Sequence, residues 1–162
     1  MMNKEQFTAE VLKAEKSLYH VAKSILKNDE DCADAMQNAI LSAWQKLHTL
    51  RQEAYFKTWI TRILINESYQ ILRGRREQVC YEDYLDERKA EDQGSWSELY
   101  LAVQELPGQY RLPFVLHYVE GYSVKEVAGI LSLSESAVKV RLYRARNLMK
   151  ERLGGEYGYE TC

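Results

Sequence analysis

Residues 121–153 read GYSVKEVAGILSLSESAVKVRLYRARNLMKERL. Gly121 marks the end of one helix, and Ser123 with Glu126 forms an S-x-x-E capping box that starts the next. Val127, Ile130 and Leu131 supply the buried face of that helix. Residues 131–134 form a short turn, with Ser134 placed to cap a second helix. There Val138, Leu142, Ala145 and Met149 recur at i, i+4, i+7 and i+11 and make a core stripe. Val140, Tyr143, Arg144 and Asn147 project the opposite way, flanked by Lys139, Arg146 and Lys150. Residues 139–152 carry six Lys+Arg against one acid. Two helices joined by such a turn, the second with a basic outer face, are the pattern of a DNA-binding helix-turn-helix.

Upstream, residues 1–76 read as helices throughout. Phe7, Val11, Ala14, Leu18, Val21 and Ala22 keep helical spacing towards Ile25 and Leu26. NDEDCAD (28–34) offers an N-cap and an acidic first turn, and Ala33, Met36, Ile40, Ala43, Trp44 and Leu47 are predicted to form one apolar face. Asp34, Gln37, Asn38, Leu41 and Gln45 lie opposite, a polar face with one exposed Leu that suits a protein contact. After the polar loop HTLRQEA comes a long helix whose end is predicted at Gly74 and the basic run Arg73, Arg75, Arg76. Along it Arg62, Asn66, Tyr69 and Arg73 form a polar-aromatic stripe, chemistry able to read bases, bind phosphates or stack on unpaired bases. Phe56, Trp59, Ile60 and Ile63 are expected on the buried side.

The 162-residue chain has a formal net charge of −2, which taken whole argues against nucleic acid. The average hides a partition. Residues 1–76 hold 12 Lys+Arg and 9 Asp+Glu, 77–98 hold 2 and 8, and 99–162 hold 8 and 7. An acidic linker thus separates two non-acidic segments. Hydrophobic content of 46% and only two prolines fit packed, mostly helical domains and exclude a disordered chain. The three cysteines, Cys32, Cys80 and Cys162, are widely spaced and suggest neither a disulfide framework nor a zinc site. The histidines (His20, His48, His117) are scattered, and no nucleophile–base spacing is visible, so no catalytic site, metal or cofactor is expected. No apolar run reaches the ~20 residues of a membrane helix, and MMNKEQFTAEVLK lacks a signal-peptide core, so a cytoplasmic protein without membrane contact of its own is expected.

DCADAMQNAILSAW (31–44), FKTWITRILINESYQILRGRR (56–76) and LPGQYRLPFVLHYVEGYSVKEVAGILSLSESAVKVRLYRARNLMKERL (106–153) together resemble the extracytoplasmic-function (ECF) sigma factors of bacterial RNA polymerase, collinearly over residues 15 to about 153. The resemblance implies an all-α chain of two small domains: a region-two-like domain (1–76), an acidic linker (77–98), a region-four-like helix-turn-helix domain (99–153) and a flexible tail (154–162). It implies no enzymatic activity, and as partners core RNA polymerase (β′ and β subunits), promoter DNA and an anti-sigma factor. By the same resemblance Asp34, Gln37, Asn38 and Leu41 bind the β′ subunit. The loop at about His48–Ala54, including Arg51, and the helix positions Lys57, Arg62, Asn66 and Arg73 recognise and open the −10 element. Lys139, Val140, Tyr143 and Arg144 read the −35 element, with Arg141 and Arg146 serving phosphates or intramolecular partners. The linker becomes an RNA mimic in the polymerase channel.

Departures from the family pattern stand at Ala33, Gln70, Ala137 and Val140. Val140 offers only apolar contact, such as to a thymine methyl, which implies a −35 preference of its own. The alternative is a conventional helix-turn-helix regulator that binds a palindromic site as a dimer without obligate polymerase.

Overall fold

The computed structural model describes residues 1–78 and 98–154. Within them the chain is all-α: α1 (Lys4–Leu26), α2 (Asp29–Gln45), α3 (Phe56–Gln78), α4 (Glu98–Glu105), α5 (Gly108–Phe114), α6 (Val124–Leu131) and α7 (Glu135–Leu153). Short 3-10 turns at Leu47–Thr49 and Glu53–Tyr55 join α2 to α3, and a π-helical turn, Val115–Val119, extends α5. The chain divides into two compact units, residues 1–92 and 93–162. The acidic stretch expected as a linker lies outside the described residues except at its two ends, which belong to α3 and α4, and the tail beyond Gly154 lies outside them as well.

In the N-terminal unit α1, α2 and α3 each pack against the other two. Asn3 and Gln6 cap α1 reciprocally, each side chain accepting from the other's backbone N–H at 2.8 and 2.9 Å. The helix buries Phe7, Val11, Ala14, Leu18, Val21, Ala22, Ile25 and Leu26, the predicted stripe. Lys27 turns the chain through a left-handed conformation (φ 69°), and the Asn28 side chain accepts the Asp31 N–H at 2.8 Å to start α2. Across this junction Asp29 accepts hydrogen bonds from the Tyr19 hydroxyl and from the Lys23 ammonium (2.9 Å for the latter). The Tyr19 bond first and Lys23 second hold its carboxyl below the usual carboxylate range.

Two predicted features differ here. The buried edge of α2 is Cys32, Ala35, Ala39 and Ala43, continued by Leu47; of the predicted face Ala43 and Leu47 are buried and Met36 and Ile40 half-buried, whereas Ala33 is exposed and Trp44 is 43% exposed. Small side chains let α2 lie close to α1 and α3, and that close approach, not side-chain bulk, decides which face turns inward. Trp44 still packs edge-on against Phe7 (centroids 5.1 Å apart), which meets Phe56 at 5.7 Å. Nor does α3 end at Gly74. It continues to Gln78, because Gly74 keeps an ordinary helical backbone and the following residues are good helix formers that offset the ~1 kcal/mol cost of glycine. On the inner side of α3 lie Phe56, Ile60, Leu64 and Ile65, while Trp59 and Ile63 are half-buried. Thr61 and Ser68 are buried too, with their hydroxyls donating to the carbonyls of Lys57 (2.7 Å) and Leu64 (2.8 Å).

The C-terminal unit is organised around α7, which touches α4, α5 and α6. Val138, Leu142, Ala145 and Met149 are buried as the spacing predicts. Ala102, Val103, Leu106 and Val115 close one part of this core with Ala145 and Met149. Arg111 ties α4 to α5, donating to the carbonyls of Gln104 (3.1 Å) and Leu106 (2.6 Å) at the α4 C-terminus. Gly121 takes φ +82°, a conformation that favours glycine, before the Ser123/Glu126 capping box opens α6. The buried face of α6 is Val127, Ala128 and Ile130, and Leu131 is only half-buried. Ser132 ends α6 in a left-handed conformation (φ 57°), with the Leu133 N–H returning to the Ala128 carbonyl at 3.0 Å. Ser134 then caps α7 through the Ala137 N–H (3.1 Å).

Two outcomes follow from these junctions. Ser132→Gly relieves the left-handed cost of a side chain and is expected to stabilise the C-terminal unit by about 1 kcal/mol in urea unfolding. Asp29→Asn is expected to lower stability above about pH 4, where the unfolded carboxyl is ionised. The lowered folded value means that the wild-type advantage is lost as pH falls through it, so thermal melts of the two proteins should converge in acid. A difference independent of pH would contradict this origin.

Candidate nucleic-acid interface

Three exposed faces carry the residues singled out from sequence. On α2, Asp34, Gln37, Asn38, Leu41 and Gln45 are all exposed, with Leu41 at 58%. At 3.6 residues per turn they share one side, opposite Cys32, Ala35, Ala39 and Ala43.

On α3, Arg62, Asn66 and Arg73 are exposed on one stripe and Tyr69 lies half-buried within it. Lys57 is exposed as well but sits about 140° around the axis from Arg62, so the helix does not bring it to that stripe. Arg51 is exposed in the connection between the two 3-10 turns. Tyr55, in the second of those turns, is 61% exposed and is not among the residues singled out from sequence. The residue directly precedes Phe56 and so reads as part of an apolar helix start. An aromatic ring held out to solvent at the entry of a basic helix can stack on an unpaired base.

On α7, Lys139, Val140, Tyr143 and Arg144 are exposed, Val140 at 47% and Tyr143 at 58%. Asn147 lies between them half-buried, and Arg141 and Arg146 flank this face on opposite sides. All three arginines reach back to the body of the unit. Arg141 Nη1 donates to the Gln109 carbonyl at 3.4 Å, Arg144 Nη1 to the Tyr110 hydroxyl at 3.5 Å, and Arg146 Nη1 to the Tyr118 hydroxyl at 2.7 Å. Periodicity within α7 could not reveal these tyrosine partners, which lie 34 and 28 residues upstream. The Ser134 cap opens α7, and a recognition helix contacts base edges from its N-terminal part.

A helical bundle bearing a cationic, aromatic stripe, followed by a helix-turn-helix with a cationic second helix, defines a DNA-binding transcription factor. Comparison with known proteins narrows the class. Sigma-70 region 2 matches residues 11–78, and Sigma-70, region 4 matches residues 96–149. RNA polymerase sigma factor SigV of Bacillus subtilis is 30% identical over 164 residues, covering 96% of this chain and 98% of that protein. ECF RNA polymerase sigma factor SigM of Mycobacterium tuberculosis is 31% identical over 143 residues, covering 86% and 72%. The fold is shared with the sigma factor RpoE of Bartonella quintana, solved with the anti-sigma factor NepR: TM-score 0.73, 24% identity, 91% of this chain and 96% of that one. It is shared too with CnrH, solved with the cytosolic domain of CnrY, at a TM-score of 0.72, 24% identity, and coverage of 95% and 91%. The chain belongs to the ECF RNA polymerase sigma factors, which bind core polymerase and direct it to promoters. Among the described residues no helix is long and apolar enough to cross a membrane.

Because Asp34, Gln37 and Leu41 are exposed, replacing each by Ala should change unfolding free energy by no more than about 0.5 kcal/mol. Ala39→Leu, on the buried edge of the same helix, should cost about 1–3 kcal/mol by overpacking. Urea unfolding separates the two faces. A large loss at Asp34 or Leu41 would reassign the outer face to the fold.

Proposed function

We propose that this sigma factor divides promoter recognition among the three faces described above. The outer face of α2, with Asp34, Gln37, Asn38 and Leu41, docks on the β′ subunit of core polymerase. Arg51, Tyr55, Arg62, Asn66 and Arg73 hold and open the −10 element: the cations fix the backbone, and the aromatic and amide groups take an unstacked base. Lys57, off that stripe, serves phosphate from the first turn of α3. Lys139, Val140, Tyr143 and Arg144 meet the −35 element in the major groove, with Arg141 flanking them along the backbone and Arg146 serving as an intramolecular partner. The −10 domain covers 1–76 and the −35 domain 99–153; the acidic segment 77–98 joins them, with its first two residues continuing α3 and its last opening α4.

The observation that carries this reading is the simultaneous exposure of the α2 and α3 faces on opposite requirements, one amphipathic for protein and one cationic for DNA. A dimeric helix-turn-helix regulator would use α7 but gives neither N-terminal face a task. Splitting recognition between two weak modules makes assembly with polymerase part of specificity, since the enzyme then fixes their separation. The chain performs no bond-making step itself; nucleotide addition belongs to polymerase, in the cytoplasm where that enzyme works. The acidic stretch, with Glu82, Asp83, Asp86 and Glu87, mimics RNA in a basic channel and leaves as the transcript grows. RpoE of Bartonella quintana was solved with the anti-sigma factor NepR, and CnrH with the cytosolic domain of CnrY, which supports a protein partner of the anti-sigma kind for this chain as well.

Run-off transcription with purified core polymerase tests the division of labour. Lys139→Ala and Arg144→Ala should each reduce −35-dependent transcript about 10-fold while leaving core binding intact. Asn66→Ala should depress promoter opening, read by permanganate reactivity, more than closed-complex formation. Loss of core binding in the α7 variants would overturn the assignment of that face.

A further inference from the structure

Tyr143, the most exposed apolar side chain of the α7 outer face, has a neighbour that restrains it. The guanidinium carbon of Arg146, one helical turn on, lies 5.9 Å from the Tyr143 ring centroid, within cation–π range. Arg146 is not free to choose that position. Its Nη1 donates a 2.7 Å hydrogen bond to the Tyr118 hydroxyl, 28 residues upstream. Tyr118, 46% exposed, has its ring 4.9 Å from Phe114 and 4.7 Å from His117, contacts that narrow its rotamers. His117 Nδ1 in turn stands 2.8 Å from the Tyr122 carbonyl. The π-helical turn sets this register: the Glu120 N–H bonds the Val115 carbonyl five residues back at 2.9 Å, and the wider turn rotates Tyr118 relative to a continuous α-helix.

We propose that Tyr118 is a specificity-positioning residue, which through Arg146 holds the ring of Tyr143 in one orientation on the DNA-facing side of α7. This rests on the assignment of α7 to the −35 element. A solvent-exposed tyrosine samples several rotamers, and each must be lost on binding; a ring already held against a cation meets the groove with that cost reduced. The brace acts on discrimination and not on charge, because removing the Tyr118 hydroxyl leaves every cation of α7 in place.

The test uses the full chain bound to core polymerase and promoter fragments randomised across the −35 element, with bound fragments sequenced. Tyr118→Phe is expected to flatten base preference about 3- to 10-fold at the positions that Tyr143→Ala affects. The slope of log affinity against log salt should stay that of the wild type, and adding Tyr118→Phe to Tyr143→Ala should cause no further loss. An unchanged preference overturns the proposal. So does a uniform loss over all sequences with the slope reduced by about one, which would make Arg146 a plain phosphate contact. Should thermal melts show that Tyr118→Phe does not fold, Arg146→Gln is read in its place: the same position-specific loss supports the brace, and an unchanged preference overturns it. A wild-type holoenzyme with no −35 preference would instead remove the assignment of α7, and the brace with it.

Discussion

The apolar edge of α7 is the constraint on which the C-terminal unit depends. Val138, Leu142, Ala145 and Met149 must be buried, and the only way to bury one side of a 19-residue helix is to turn the other to solvent. That other side carries Lys139, Val140, Tyr143 and Arg144. The orientation of this cationic face is therefore a consequence of hydrophobic burial and not of any interaction among the cations, which repel one another. The preceding helices supply what burial alone cannot. The Ser132–Ser134 turn sets where α7 begins, and tyrosines on α5 and the π turn receive two of its arginines.

The N-terminal unit solves a similar problem with different chemistry. Its middle helix presents Cys32, Ala35, Ala39 and Ala43 inward, side chains that contribute little area each but allow helix backbones to approach closely. Bulk comes from the neighbours: Phe7 and Leu18 from α1, Phe56, Ile60 and Leu64 from α3. With its small residues spent on packing, α2 has its longer polar side chains and Leu41 free for an outside contact. The aromatic cluster Phe7–Trp44–Phe56 closes one end of this bundle.

Much of this was legible in the sequence, and the failures have physical reasons. Helix α7, its cap and its stripe were readable because Val, Leu and Met at strict spacing contrast with Arg and Lys. The inward face of α2 was misread because alanine is a weak marker: Ala33 and Ala35 look alike until geometry decides which one meets a neighbour. Gly74 reads as a terminator from sequence, but the left-handed backbone that commonly marks a helix-ending glycine is present at Gly121 and not at Gly74. Tyr55, Tyr110 and Tyr118 were missed for another reason. Their significance lies in exposure or in partners far away in the chain, and no local period encodes either. The exposure of the three outer faces, by contrast, is legible from residue type and spacing alone.

The central claim is that neither DNA-reading unit suffices alone and that polymerase makes them act together. The most direct measurement is the affinity of the full chain for a promoter fragment and for a scrambled fragment, with and without core RNA polymerase, at physiological salt. The free chain should bind both fragments weakly and alike, with strong discrimination emerging only in the holoenzyme. Tight, sequence-specific binding by the chain without polymerase would contradict it.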